Sequence, residues 1–102
     1  MKDRKWFLEK FDSGEKFSED ELQDIAYGDV GLKSVERSYG ENRRWTRTVT
    51  GVYEADGRYF MIDWEEGLTE HQEDEFWEQP VEVEKKQYEK TFIVTEWIKK
   101  GN

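Results

Sequence analysis

Hydrophobic residues recur along this chain at two spacings, helical in its first quarter and alternating thereafter. Over residues 2–11, Trp6, Phe7, Leu8 and Phe11 fall within reach of a helical spacing, which predicts a short amphipathic helix stopped by Asp12-Ser13-Gly14. Over residues 19–27, Leu22, Ile25 and Ala26 supply a second apolar face. Ser18 with Glu21 three residues later forms a capping-box pattern, acids fill the first turn, and Gly28 suits the C-terminal end.

From Val30 onward the period shortens to two. Residues 32–38 predict a strand and Tyr39-Gly40-Glu41-Asn42 a turn. Residues 44–54 are rich in Thr, Val, Trp and Tyr, the residues of pleated sheet. Ala55-Asp56-Gly57-Arg58 is a hairpin signal because Asp-Gly accepts the positive φ angles of a type I′ turn. The chain returns over 59–64 with Phe60, Ile62 and Trp64 on one face and Tyr59, Met61 and Asp63 on the other. Thr69 with Gln72 resembles a second capping box, so 69–78 is expected to be a short acidic helix closed by Pro80. Val81-Glu82-Val83-Glu84 alternates like a half-buried edge strand, and 88–98 reads as a last long strand or strand pair. The expected fold is α+β: N-terminal helices, then an antiparallel sheet of about four strands with a short acidic helix inserted before the C-terminal strands.

Composition changes this picture in one respect. Of 102 residues, 40% are charged and 34% hydrophobic, a balance that by itself resembles disorder. Five Trp, five Tyr and six Phe argue for a packed core, since each ring buries about 150–250 Å². The length suits a single domain spanning 1–102. With no Cys there is no disulfide framework, thiol nucleophile or thiolate metal site. No apolar run approaches the ~20 residues of a membrane-spanning helix, and the basic start, Lys2-Asp3-Arg4-Lys5, has no apolar h-region behind it. A cytoplasmic protein is expected.

The net charge of −9 is concentrated. Between Asp63 and Glu89 lie eleven acids and two bases, Lys85 and Lys86; the remaining acids and bases cancel. Residues 33–58 lean the other way, with six bases against four acids. Such polarity attracts basic partners and repels nucleic acid, and equally keeps a small protein soluble.

Candidate chemistry is sparse. His71 is the single histidine; Glu75 would share its helical face, but one imidazole with exposed carboxylates makes a poor metal centre, so no metal is expected. A calcium loop begun at Asp63 places Gly67 and Asp74 out of register. There is no nucleophile elbow, and Gly28-Asp29-Val30-Gly31 lacks the length and Lys of a phosphate loop. Neither an enzyme nor a cofactor is expected, with a metal-dependent activity centred on His71 as the minority reading.

Two surface clusters remain. Arg43, Arg44, Trp45 and Arg47 form a basic–aromatic group that could grip a phosphate, a partner's acids or the chain's own acids. At a pI of about 4.7, direct nucleic-acid binding is not expected. Glu82 and Glu84 would project from one strand face roughly 6.6 Å apart, a phosphate-like spacing. Glu70, Glu73, Asp74, Glu75 and Glu78 would extend the row, so that the seven carboxylates face Lys/Arg side chains on a partner. The same acids could instead guard a sheet edge against aggregation.

Trp64-Glu65-Glu66-Gly67-Leu68-Thr69-Glu70, Phe76 and Gln79-Pro80-Val81-Glu82-Val83-Glu84 resemble small acidic accessory proteins of phages and prophages of Gram-positive bacteria. Arg43-Arg44-Trp45-Thr46 and Val94-Thr95-Glu96-Trp97 fit the same resemblance. It implies action in the bacterial host cytoplasm, as a monomer or homodimer. Several such proteins are anti-CRISPR inhibitors, so the resemblance implies a protein that blocks a Cas9-type RNA-guided nuclease. Together with the acidic stretch, this gives an expected function as an inhibitor occupying a basic nucleic-acid-binding groove. The alternative is a phage structural or regulatory interaction protein whose acidic face serves solubility and whose contact is a sheet edge or Trp77.

Overall fold

A computed structural model of the protein describes residues 2–41, 45–69, 72–89 and 93–100. Two helices, α1 (Arg4–Asp12) and α2 (Glu19–Ala26), precede five strands: β1 (Lys33–Tyr39), β2 (Thr46–Ala55), β3 (Arg58–Gly67), β4 (Val81–Glu89) and β5 (Ile93–Lys99). The strands form one antiparallel sheet in the order β1-β2-β3-β4-β5, each beside its sequence neighbour.

Local chemistry explains the helices and the central hairpin. The Asp3 side chain caps α1 by accepting from the Trp6 amide at 2.9 Å. Ser18 and Glu21 close the capping box of α2 reciprocally, at 3.2 and 2.8 Å. Between β2 and β3, Asp56 and Gly57 sit at φ 51° and 81°, the geometry of a type I′ turn. That turn sets a ten-pair register from Ala55–Arg58 to Thr46–Gly67.

The register places Val49, Tyr53, Ala55, Phe60, Ile62 and Trp64 on one face, as the alternation of 59–64 predicts, and the two helices pack there. Phe7 meets Phe60 edge-on at 4.8 Å and stacks on Phe17 at 5.3 Å; Phe11 meets Phe60 at 4.9 Å. The opposite face holds a smaller apolar group. Val52 lies opposite Met61, Val83 opposite Tyr59, and Trp97 of β5 packs on Tyr59 at 5.1 Å. Val52 and Val83 are buried there without joining the helix-covered core.

Two expectations are corrected. The sheet has five strands where about four were expected: 81–89 pairs with 93–99, so the edge strand begun at 81–84 runs on to Glu89, and the stretch 88–98 read as one long strand or a strand pair is divided between two paired strands. The acidic helix expected over 69–78 is absent among the described residues 72–80, which form no helix and pair with β3 through one isolated bridge at Glu75. Glu75 exchanges two backbone hydrogen bonds with Glu65, at 2.9 and 3.0 Å. The segment lacks a helical apolar stripe, and its acids at i, i+4 spacing would repel one another in a helix. Phe76 buries instead as a single anchor, stacked on Trp64 at 5.5 Å. Gln79 clasps the backbone of Phe17 through both ends of its amide, at 2.8 and 3.1 Å.

β3 meets β4 at only three pairs, Tyr59–Val83 to Met61–Val81, whereas β4 and β5 pair over seven. The distal part of β4–β5 is therefore a two-stranded ribbon reaching past the main sheet.

Gly51 is the tightest position in β2. A Cβ there would lie 2.8 Å from Tyr53 Cε2, 2.9 Å from its hydroxyl and 3.1 Å from Trp64 Cζ3. Gly51→Ala must displace a fully buried ring, and a loss of about 2 kcal/mol is expected in chemical denaturation.

Candidate functional site

The acidic stretch begins where β3 ends, and its path is set by contacts that consume some of its own carboxylates. Gly67 permits the turn: a Cβ there would lie 2.1 Å from the Gln72 carbonyl oxygen. The Gln72 amide donates to the Thr69 carbonyl at 3.2 Å, and the chain reverses along β3. Asp74 locks this return. Its Oδ1 accepts from the Gly67 amide at 3.0 Å, and its Oδ2 accepts from the Tyr27 hydroxyl just after α2. Burial, and then the Asp74 carboxylate, push the Tyr27 hydroxyl up to about 12, so it stays a donor throughout the physiological range. The Tyr27 ring meets Phe76 edge-on at 5.8 Å.

Glu82 is a second internal anchor. Opposite Phe60, it lies on the helix-bearing face, where the Arg58 guanidinium donates to both its oxygens at 3.1 Å. Arg58 also grips both oxygens of Asp12 at the end of α1, at 2.8 and 3.0 Å, and Lys100 approaches Glu82 at 3.4 Å. One guanidinium thus ties α1, β3 and β4 together. Its hydrogen bonds hold the Asp12 and Glu82 carboxyls below their ordinary values.

The carboxylates expected to face a partner therefore divide. Asp74 and Glu82 fasten the fold. Glu73, Glu75, Glu78 and Glu84 are exposed and carry no ion pair among the described residues. Glu70 lies outside the described residues, as does His71. The helical row through Glu73, Asp74 and Glu78 does not form, because residues 72–80 are not helical. Glu82 and Glu84 share a strand face as expected, with Val81 and Val83 on the other, but only Glu84 is exposed.

In the basic–aromatic cluster, Arg43 and Arg44 lie outside the described residues. Trp45 is half exposed just before β2, and its carbonyl accepts from the Leu68 amide at 2.8 Å. Arg47 bonds Glu66 at 2.6 Å and lies 4.2 Å from the Tyr39 ring centroid, so its charge is balanced by the chain itself. The described part of this cluster joins β1, β2 and β3.

Sequence reading missed a ladder on the face away from the helices. Thr46 and Thr48 donate to the two oxygens of Glu65 at 3.0 and 2.5 Å, and Thr50 donates to Asp63 Oδ1 at 2.6 Å. Glu65 is only 9% exposed. Thr at every second position opposite acids at every second position is the signal, once the Asp-Gly turn fixes the register. Beside the ladder, Thr48, Asp63, Trp64, Glu65, Trp77 and Glu78 line a cleft of about 200 Å³. Among the described residues no group of three or more His, Asp or Glu is arranged to hold a metal ion, and no helix is long and apolar enough to cross a membrane.

Comparison with protein-family models, curated proteins and solved structures returns no match to this chain.

The Arg58 clamp gives stability a defined pH dependence. Carboxyls depressed in the fold stabilise it fully above their ordinary values, 4.5 for Glu82 and 3.8 for Asp12, and that contribution drains away as pH falls below them. Replacing Arg58 by Met should cost about 1 kcal/mol at neutral pH and flatten the acid limb of a stability–pH curve measured by urea denaturation.

Proposed function

We propose that the protein is a non-enzymatic binding module whose acidic side occupies a Lys/Arg-lined, nucleic-acid-binding surface on a partner. The observation that carries this reading is the set of exposed carboxylates, Glu73, Glu75, Glu78 and Glu84, left without ion pairs among the described residues in the one stretch that holds the chain's net charge. Fixed carboxylates on a folded scaffold can replace phosphates in such a groove, and the released counterions favour binding. Internal anchoring by Asp74 and Glu82 supports the reading, because a surface held in shape loses less entropy on docking.

The phage-like segments at 64–70 and 79–84 make a Cas9-type nuclease the partner to test, acting in the bacterial cytoplasm. Target-DNA cleavage by the guide-loaded nuclease should fall when the protein is added, and the inhibitory affinity should weaken about tenfold or more for a fourfold rise in salt. Glu73→Lys, Glu75→Lys and Glu84→Lys combined should abolish inhibition while leaving stability within about 1 kcal/mol. Inhibition that survives both salt and charge reversal would overturn the reading. It would favour the alternative of a structural or regulatory interaction protein, for which exposed Trp77 is the specific observation.

A further inference from the structure

We propose that the cleft between β3 and residues 75–78 receives an arginine side chain of the partner protein. The inference rests on the reading above and supplies its anchor point. Phe76 points into the helix-covered core, whereas Trp77 lines the cleft beside Asp63 and Glu65. Trp77 is left 56% exposed on the cleft wall. The indole stands beside carboxylates on the cleft wall. It is suited to a flat cation, which can lie on the ring while donating hydrogen bonds at its edge.

The acids around it are arranged for that edge. Thr50 occupies Asp63 Oδ1, which fixes the carboxylate and leaves Oδ2 for a ligand. Glu78 lines the same cleft, and neither Asp63 nor Glu78 has an ion pair among the described residues. On the helix-bearing face, by contrast, Glu21, Glu66 and Glu82 are each matched by a cation of the chain itself. The cleft's volume of about 200 Å³ suits one long side chain rather than a strand or helix. Guanidinium is favoured over ammonium because it is planar and can stack and chelate at once.

The test uses the isotope-labelled full chain in nuclear magnetic resonance titrations at low salt. The probes are N-acetyl-arginine amide, its uncharged isostere N-acetyl-citrulline amide, and N-acetyl-lysine amide. Arginine amide should give saturable shifts at the Trp77 indole N–H and the Asp63 and Glu65 amides. Its affinity should fall about threefold to tenfold in Trp77→Ala and in Asp63→Asn, which keeps the acceptor for Thr50. Equal shifts with citrulline amide, lysine amide binding as well as arginine, or unchanged affinity in Trp77→Ala would each overturn the proposal. A polyarginine peptide separates this inference from the broader reading. Binding lost on reversal of Glu73, Glu75 and Glu84 but indifferent to Trp77→Ala would retain the acidic surface and overturn the arginine site. Peptide binding that is lost in Trp77→Ala but survives reversal of Glu73, Glu75 and Glu84 would retain the arginine site and overturn the broader reading.

Discussion

The fold depends on one shared acceptor, the carbonyl oxygen of Ala26 at the end of α2. Tyr53 donates its hydroxyl to it at 3.0 Å and Arg37 its guanidinium at 3.1 Å. The last carbonyls of a helix have no partner within it, and a buried phenol needs one; each need answers the other. Arg37 adds a bond to the Tyr53 hydroxyl at 3.3 Å and lies 5.2 Å from the Trp64 ring centroid. The junction thereby fastens α2 to β1, β2 and β3 at once. It requires Gly51, the one place where the Tyr53 ring can fold across β2. Phe76 then stacks on Trp64, so even the acidic segment is positioned from this junction.

What was legible in the sequence was what is decided locally. Ser18 and Glu21 are three residues apart and cap α2 wherever it packs. Asp56-Gly57 makes its turn from its own backbone preference, and the alternation of Phe60, Ile62 and Trp64 gives the buried face directly. What was misread depends on partners distant in sequence. Thr69 and Gln72 imitate a helix start, but the pairing of Glu75 with Glu65 and the burial of Phe76 tie this segment to β3 instead of a helix. The second face escaped notice because Val52, Val83 and Trp97 come from three strands whose pairing the sequence does not state.

The candidate site was legible as a region and not as a set of residues. Charge counting locates the acidic stretch, since eleven acids against two bases is a property of composition. It does not distinguish Asp74 from Glu73, although one accepts from Gly67 and Tyr27 and the other faces solvent. Nor does it distinguish Glu82 from Glu84, because the difference is made by Arg58, twenty-four residues away. Acids serve here in two capacities, as struts and as surface, and only tertiary contacts separate them.

The narrow joint between β3 and β4 has a consequence for how the molecule opens. Three residue pairs attach the C-terminal ribbon to the sheet, while ten bind β2 to β3 beneath the helices. The ribbon can detach while Phe7 and Tyr53 stay covered by the helices and the central hairpin. Its amide protons are expected to exchange with solvent through that partial opening, ahead of those of the central hairpin. Glu82, held by Arg58 on one side and Lys100 on the other, is the rivet across this narrow joint.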